Sequence, residues 1–112
     1  MDENMQKKVM KLQMMEQKLQ GYAMQKQNFQ GQILEIENAL LESKTSEEVY
    51  KMVGQLMIKS DKDKILKELE EKDAMFKEKI KDIENQEAKI REELTPLQEE
   101  VMGSLKNDKW PV

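Results

Sequence analysis

The chain has 112 residues, of which 38% are charged, 19 Lys+Arg against 23 Asp+Glu, for a net charge of −4; about 25% charged is usual for a globular domain. Cys and His are both absent, which excludes Cys/His zinc sites, His- or Cys-ligated haem and nucleophilic catalysis by Cys–His or Ser–His pairs, and with them any disulfide. No run approaches 18 apolar residues and no apolar segment opens the chain, so neither a membrane span nor a secretory signal is expected. The expectation is a cytoplasmic protein of one structural unit that is not an enzyme and holds no metal or cofactor.

Residues 1–43 carry apolar side chains on a heptad. With Met5 as position a, the a series is Met5, Leu12, Leu19, Lys26, Ile33 and Leu40, and the d series is Lys8, Met15, Tyr22, Phe29, Ile36 and Ser43. Spacing of three and four held over nearly six heptads predicts a coiled-coil helix rather than an ordinary amphipathic one.

Residues 44–60 break the pattern. Val49-Tyr50-Lys51-Met52-Val53 and Leu56-Met57-Ile58-Lys59-Ser60 are rich in β-branched and aromatic side chains, with Gly54-Gln55 between them. A two-residue loop beginning with Gly predicts a β-hairpin with a type II′ turn. That register puts Val49, Val53, Leu56 and Ile58 on one face and Tyr50, Met52 and Met57 on the other. Both faces are largely apolar, and a lone two-stranded hairpin is marginal in water with two open edges. The segment is therefore expected to join hairpins of other chains. The plainer reading is a tighter turn between two longer helices.

Residues 61–105 restore the heptad, with Leu66, Asp73, Ile80, Glu87, Leu94 and Val101 at a, and Leu69, Phe76, Ile83, Ile90, Leu97 and Ser104 at d. Ser60 with Asp63 three residues on resembles a capping box. Of the polar interruptions, Lys26 is expected to snorkel, and Asp73 and Glu87 to face solvent or a partner; fixing helix register is the other reading. Thr95-Pro96-Leu97-Gln98 has the pattern of a fresh helix start, with Thr as cap and Pro at the first position. Since the heptad continues across it, a kink rather than an end is expected. Gly103, with Trp110-Pro111-Val112 beyond, suggests a frayed tail over 106–112. Two seams joined by a short connection fold back most simply as an antiparallel pair, which sets Met5 near residues 99–101. The fold expected is thus mainly α: a long antiparallel two-helix coiled coil joined by a short β-hairpin.

No phosphate loop or dinucleotide fingerprint is present among the four glycines. Residues 1–43 hold 5 basic and 6 acidic groups, 44–60 hold 3 and 2, and 61–112 hold 11 and 15. Without a basic segment the counterion-release drive to nucleic acid is missing. The methionines say more, because five of the ten fall in the first fifteen positions. Antiparallel pairing would gather Met1, Met5, Val9, Met10 and Met14 with Val101, Met102 and Leu105 at one tip. Methionine adapts to varied apolar surfaces, so that tip is a candidate site for unfolded or variable partners, with ordinary core filling as the plainer reading.

Helix, short hairpin, helix in about 110 residues resembles the plan of the prefoldin family. Val49-Tyr50-Lys51-Met52-Val53-Gly54-Gln55-Leu56-Met57-Ile58-Lys59 looks like the hairpin signature of its β-type subunits, and Asn85-Gln86-Glu87-Ala88-Lys89-Ile90 resembles a stretch of their second helix. The likeness covers nearly the whole chain, with departures at Pro96 and the Trp110-Pro111-Val112 tail. It implies an ATP-independent chaperone subunit whose hairpin residues Val49, Tyr50, Met52, Val53, Gly54, Leu56, Met57 and Ile58 enter an intersubunit β-barrel. The assembly implied is a hetero-hexamer of two α-type and four β-type subunits, which holds non-native polypeptides at the coiled-coil tips and passes them to a group II chaperonin. Lys106 and Lys109 would be docking contacts for that chaperonin, or simply solvated tail lysines. The competing expectation is a structural or adaptor coiled coil that pairs with one defined partner helix.

Overall fold

A computed structural model describes residues 2–107, and the side chains of residues 2–105. Helix α1 spans Glu3–Thr45, strands β1 and β2 span Val49–Val53 and Leu56–Ser60, and helix α2 spans Lys62–Asn107. The Asp2 carboxylate accepts the Met5 backbone N–H at 2.7 Å, and the Asp2 carbonyl accepts that of Gln6 at 3.0 Å. Asp2 is therefore the N-cap of α1, stabilising orphan donors of the first turn. At the other end the Glu42 carbonyl accepts the Thr45 and Ser46 hydroxyls at 3.0 and 2.8 Å and the Ser46 N–H at 3.1 Å. These bonds carry α1 past residue 43, where the heptad alone would stop it.

The hairpin has the expected register. Val49 pairs with Ser60, Lys51 with Ile58 and Val53 with Leu56, so these six share one face; Tyr50, Lys59, Met52 and Met57 take the other. Gly54 has φ of 63°, while among the described residues none other than Gly has positive φ. A type I′ turn would need positive φ at Gln55 as well, so the turn follows the II′ pattern. Nothing lies within 4 Å of a Cβ built on Gly54; only backbone conformation selects the residue. Gly54→Ala is expected to cost about 1 kcal/mol, measured as a lower thermal unfolding midpoint.

One expectation for α2 is corrected. Its cap is Asp61, whose carboxylate accepts the Asp63 N–H at 3.2 Å and whose carbonyl accepts that of Ile65 at 3.0 Å. Ser60 is still strand, and its hydroxyl bonds to the Ile58 carbonyl at 3.3 Å. Pro96 lies inside the helix, which does not end there, as the continuing heptad leads one to expect. The carbonyl it deprives of a partner is that of Glu92, an exposed residue, where water can satisfy it. Gly103 is likewise helical, and α2 runs on to Asn107, held by Val101 and Ser104 on the seam.

Every a and d position of both series is half-buried or buried. The chain divides into two compact units, one holding the described residues up to Gln25 and from Asp82, the other Lys26–Lys81. In the first, Met15, Ile83, Leu94 and Val101 form the buried core, and Lys8 pairs with Glu100 across the helices. In the second, the Phe29 and Phe76 rings lie 5.6 Å apart, tilted by 33°, with Lys79 Nζ 5.5 and 5.8 Å from their centres. Lys62 Nζ reaches the Lys44 carbonyl at 3.1 Å. Partners 44–62 and 29–76 give the antiparallel sense, as the hairpin requires.

Of the polar seam residues, Glu87 and Asp73 lie at the helix interface rather than in solvent. Glu87 is 2% exposed, with Arg91 at 4.0 Å one turn on; it faces the seam, not solvent. Asp73 Oδ2 lies 2.8 Å from Lys77 Nζ, which reaches Glu37 of α1 at 3.1 Å. The Asp73 and Glu37 carboxylates, in that order, hold Lys77 above the usual lysine range. Asp73 Oδ1 is buried without a hydrogen-bond partner. A seam acid thus ties the helices in register through a lysine on the rim, which is the register reading of these interruptions.

Candidate functional site

Strands β1 and β2 pair with each other alone, so each keeps one open edge, and most of the hairpin's side chains are left uncovered. Tyr50, Met52, Val53, Leu56, Met57 and Ile58 are exposed, Leu56 and Met57 by 67% and 69%. Only Val49 is buried, on the face that leans against the helix pair. There Lys51 Nζ lies 3.7 Å from Glu68 of α2, and a cleft of about 340 Å³ is lined by Ala39, Ser43, Ile65 and Leu69 together with Val49 and Lys51. A contiguous apolar surface of this kind marks an interaction site.

One corner of the hairpin is polar by construction. The Tyr50 hydroxyl donates to Glu48 Oε2 at 2.7 Å, and Lys59 Nζ donates to Glu48 Oε1 at 3.4 Å. The Tyr50 bond, then the Lys59 bond, holds the Glu48 carboxyl below its ordinary value, and the same contact pushes the Tyr50 phenol up. A lowered carboxyl pKa contributes stability above the unfolded value and loses it as pH falls through the folded one. A raised phenol pKa contributes below the unfolded value and loses it as pH rises through the folded one. In a Tyr22→Phe background, ultraviolet absorbance should therefore put the Tyr50 midpoint above that of free tyrosine. Glu48→Gln should return it toward the ordinary value; an unchanged midpoint would count against the bond.

In the unit that contains the helix ends, the candidate tip residues separate into two groups. Met10, Met14 and Met102 are 64%, 61% and 58% exposed, and Leu105 is exposed too. Met5 and Val9 are half-buried. Val101 is 6% exposed and packs in the seam, so it supports the tip from inside rather than presenting a surface. This follows from its a position, which the heptad already assigns to the seam. Lys8–Glu100 spans the two helices at this level. Met1, Lys109 and Trp110, and the side chain of Lys106, lie outside the described residues.

Other exposed apolar residues escaped the sequence reading: Met24, Leu34, Leu41 and Met75. Their signal was available, since all four fall at b, c or f, where a solvated coiled coil carries charge. Among the described residues, no group of three or more His, Cys, Asp or Glu is placed to hold a metal ion, and no helix is long and apolar enough to cross a membrane.

Comparison with known proteins gives a consistent result. The family model for prefoldin subunits matches residues 6–108. A prefoldin subunit beta from Archaeoglobus fulgidus is 34% identical over 100 residues, covering 87% of this chain and 86% of the relative. One from Sulfolobus acidocaldarius is 29% identical over 100 residues, covering 87% and 80%. The crystal structure of the prefoldin beta subunit from Thermococcus strain KS-1 matches with a TM-score of 0.84 and 33% identity, over 93% of this chain and 94% of that one.

Proposed function

The chain belongs to the prefoldin family of chaperone subunits, as one of the β type, and we propose that it works as an ATP-independent holdase that captures non-native polypeptides at its helix tip. The observation that carries this reading is the set of exposed methionines Met10, Met14 and Met102 with Leu105. A helix pair has no need of them, and polarizable, unbranched side chains suit partners of variable shape. Capture and release follow mass action: several weak apolar contacts exchange without fuel, and no catalytic step enters.

The rest of the reading concerns assembly and delivery. The hairpin joins those of neighbouring subunits in a shared β-barrel, in a hetero-hexamer of two α-type and four β-type chains. That the hairpin keeps apolar side chains uncovered on both faces supports an intersubunit role. The assembly acts in the cytoplasm and passes its clients to a group II chaperonin, with Lys106 and Lys109 as the proposed contacts.

The test is the triple substitution Met10→Ser, Met14→Ser and Met102→Ser. Suppression of aggregation of unrelated unfolded proteins, without ATP, should fall several-fold while the mass of the assembly is unchanged, each lost apolar contact being worth about 1 kcal/mol. Undiminished suppression by an intact assembly would remove the tip assignment.

A further inference from the structure

Counting α1 from its a positions, the outer b and f residues from Gln6 to Thr45 include no charged side chain, and every one of them is exposed. In a chain that is 38% charged this is a marked departure. The corresponding positions of α2 carry Lys67, Glu71, Glu78, Lys81, Glu92 and Glu99, all exposed. A helix face that met only water would gain from i,i+4 ion pairs and from charge that opposes aggregation; α2 carries charge of both signs on this face, and α1 carries none. In the unit with the helix ends, the stripe reads Gln6, Met10, Gln13, Gln17, Gln20 and Met24. Met10 and Met24 stand 64% and 71% exposed, at the two ends of a run of glutamines.

We propose that this stripe is a second contact surface for the client, a track that holds an extended non-native polypeptide along the outer face of α1, continuous with the tip through Met10. The inference rests on the holdase reading above and states what kind of ligand the surface fits. An unfolded chain is defined chemically by unpaired backbone N–H and C=O groups, and a glutamine amide offers a donor and an acceptor that match both. Neither group depends on the client's sequence. The absence of charge serves the same end, since a charged track would repel one class of clients and retain another. A membrane surface fits poorly, because the stripe is mostly amide rather than broadly apolar with basic flanks.

The test uses the full assembly with an α-type partner and two unfolded clients of opposite charge, reduced lysozyme (basic) and reduced α-lactalbumin (acidic). Gln13, Gln17 and Gln20 lie on one face at spacings of four and three, and Glu and Lys are both good helix formers, so the helix survives either replacement. The wild-type assembly should suppress aggregation of both clients. The triple Gln→Glu variant should favour the basic client and the triple Gln→Lys variant the acidic one. The ratio of concentrations for half suppression should move about tenfold between the two variants. A control triple on α2, Asn85→Glu, Ala88→Glu and Thr95→Glu, should move it less than about twofold. An unchanged ratio in the α1 variants, or an equal shift in the α2 control, overturns the track while leaving the tip assignment standing. A change in the mass of the assembly makes the stripe a subunit interface and also overturns it. Failure of the wild-type assembly to suppress either client sinks the holdase reading itself.

Discussion

Val53→Asp is expected to abolish assembly through the hairpin while leaving both helices formed. Val53 is half exposed in the single chain, opposite Leu56 on the face shared with Val49 and Ile58. Six exposed apolar residues on the two strands are left for neighbours to cover, and burying each contributes on the order of 1 kcal/mol or more. A carboxylate within that surface would have to be desolvated without a partner, at a cost of several kcal/mol. Light scattering should report a mass near that of the free chain, and far-ultraviolet circular dichroism an unchanged helical signal. Full-size particles from the variant would exclude the hairpin as the assembly element.

The second large effect is expected in the seam. Ile83 and Leu94 are each 8% exposed, in a helix pair with little other buried apolar surface. Truncation of either to Ala should destabilise the chain by about 2–4 kcal/mol, through lost transfer energy and the cavity left behind. Leu34→Ala and Leu41→Ala, on the exposed face of α1, should stay within about 0.5 kcal/mol. Thermal unfolding followed by circular dichroism compares the four directly. Equal effects at buried and exposed positions would contradict the assigned seam.

Much of the fold was legible because its determinants are local or periodic. A heptad held over nearly six repeats identifies the inward residues of a helix pair without knowledge of the partner, and every a and d position is indeed shielded. The hairpin was equally accessible: Gly54-Gln55 dictates a two-residue loop, and the loop dictates the register. The candidate sites were only partly legible. Met10, Met14 and Met102 could be placed off the seam by counting. Met24, Leu34 and Leu41 fall off the seam by the same counting, on an uncharged face that the clustering of methionines does not mark.

The sequence by itself therefore determined the element order, the seam and the hairpin register, since each depends on spacing along one chain. Only the tertiary structure decided what the polar interruptions do. Whether Glu87 meets solvent or the seam, and whether Asp73 reaches Glu37 through Lys77, depends on how closely the two helices approach and on which rotamers then reach across. The helix caps belong to the same class. Asp61 rather than Ser60 caps α2 because Ser60 is claimed by its pairing with Val49 in the strand, and competition of that kind between neighbouring elements is settled only when both are in place.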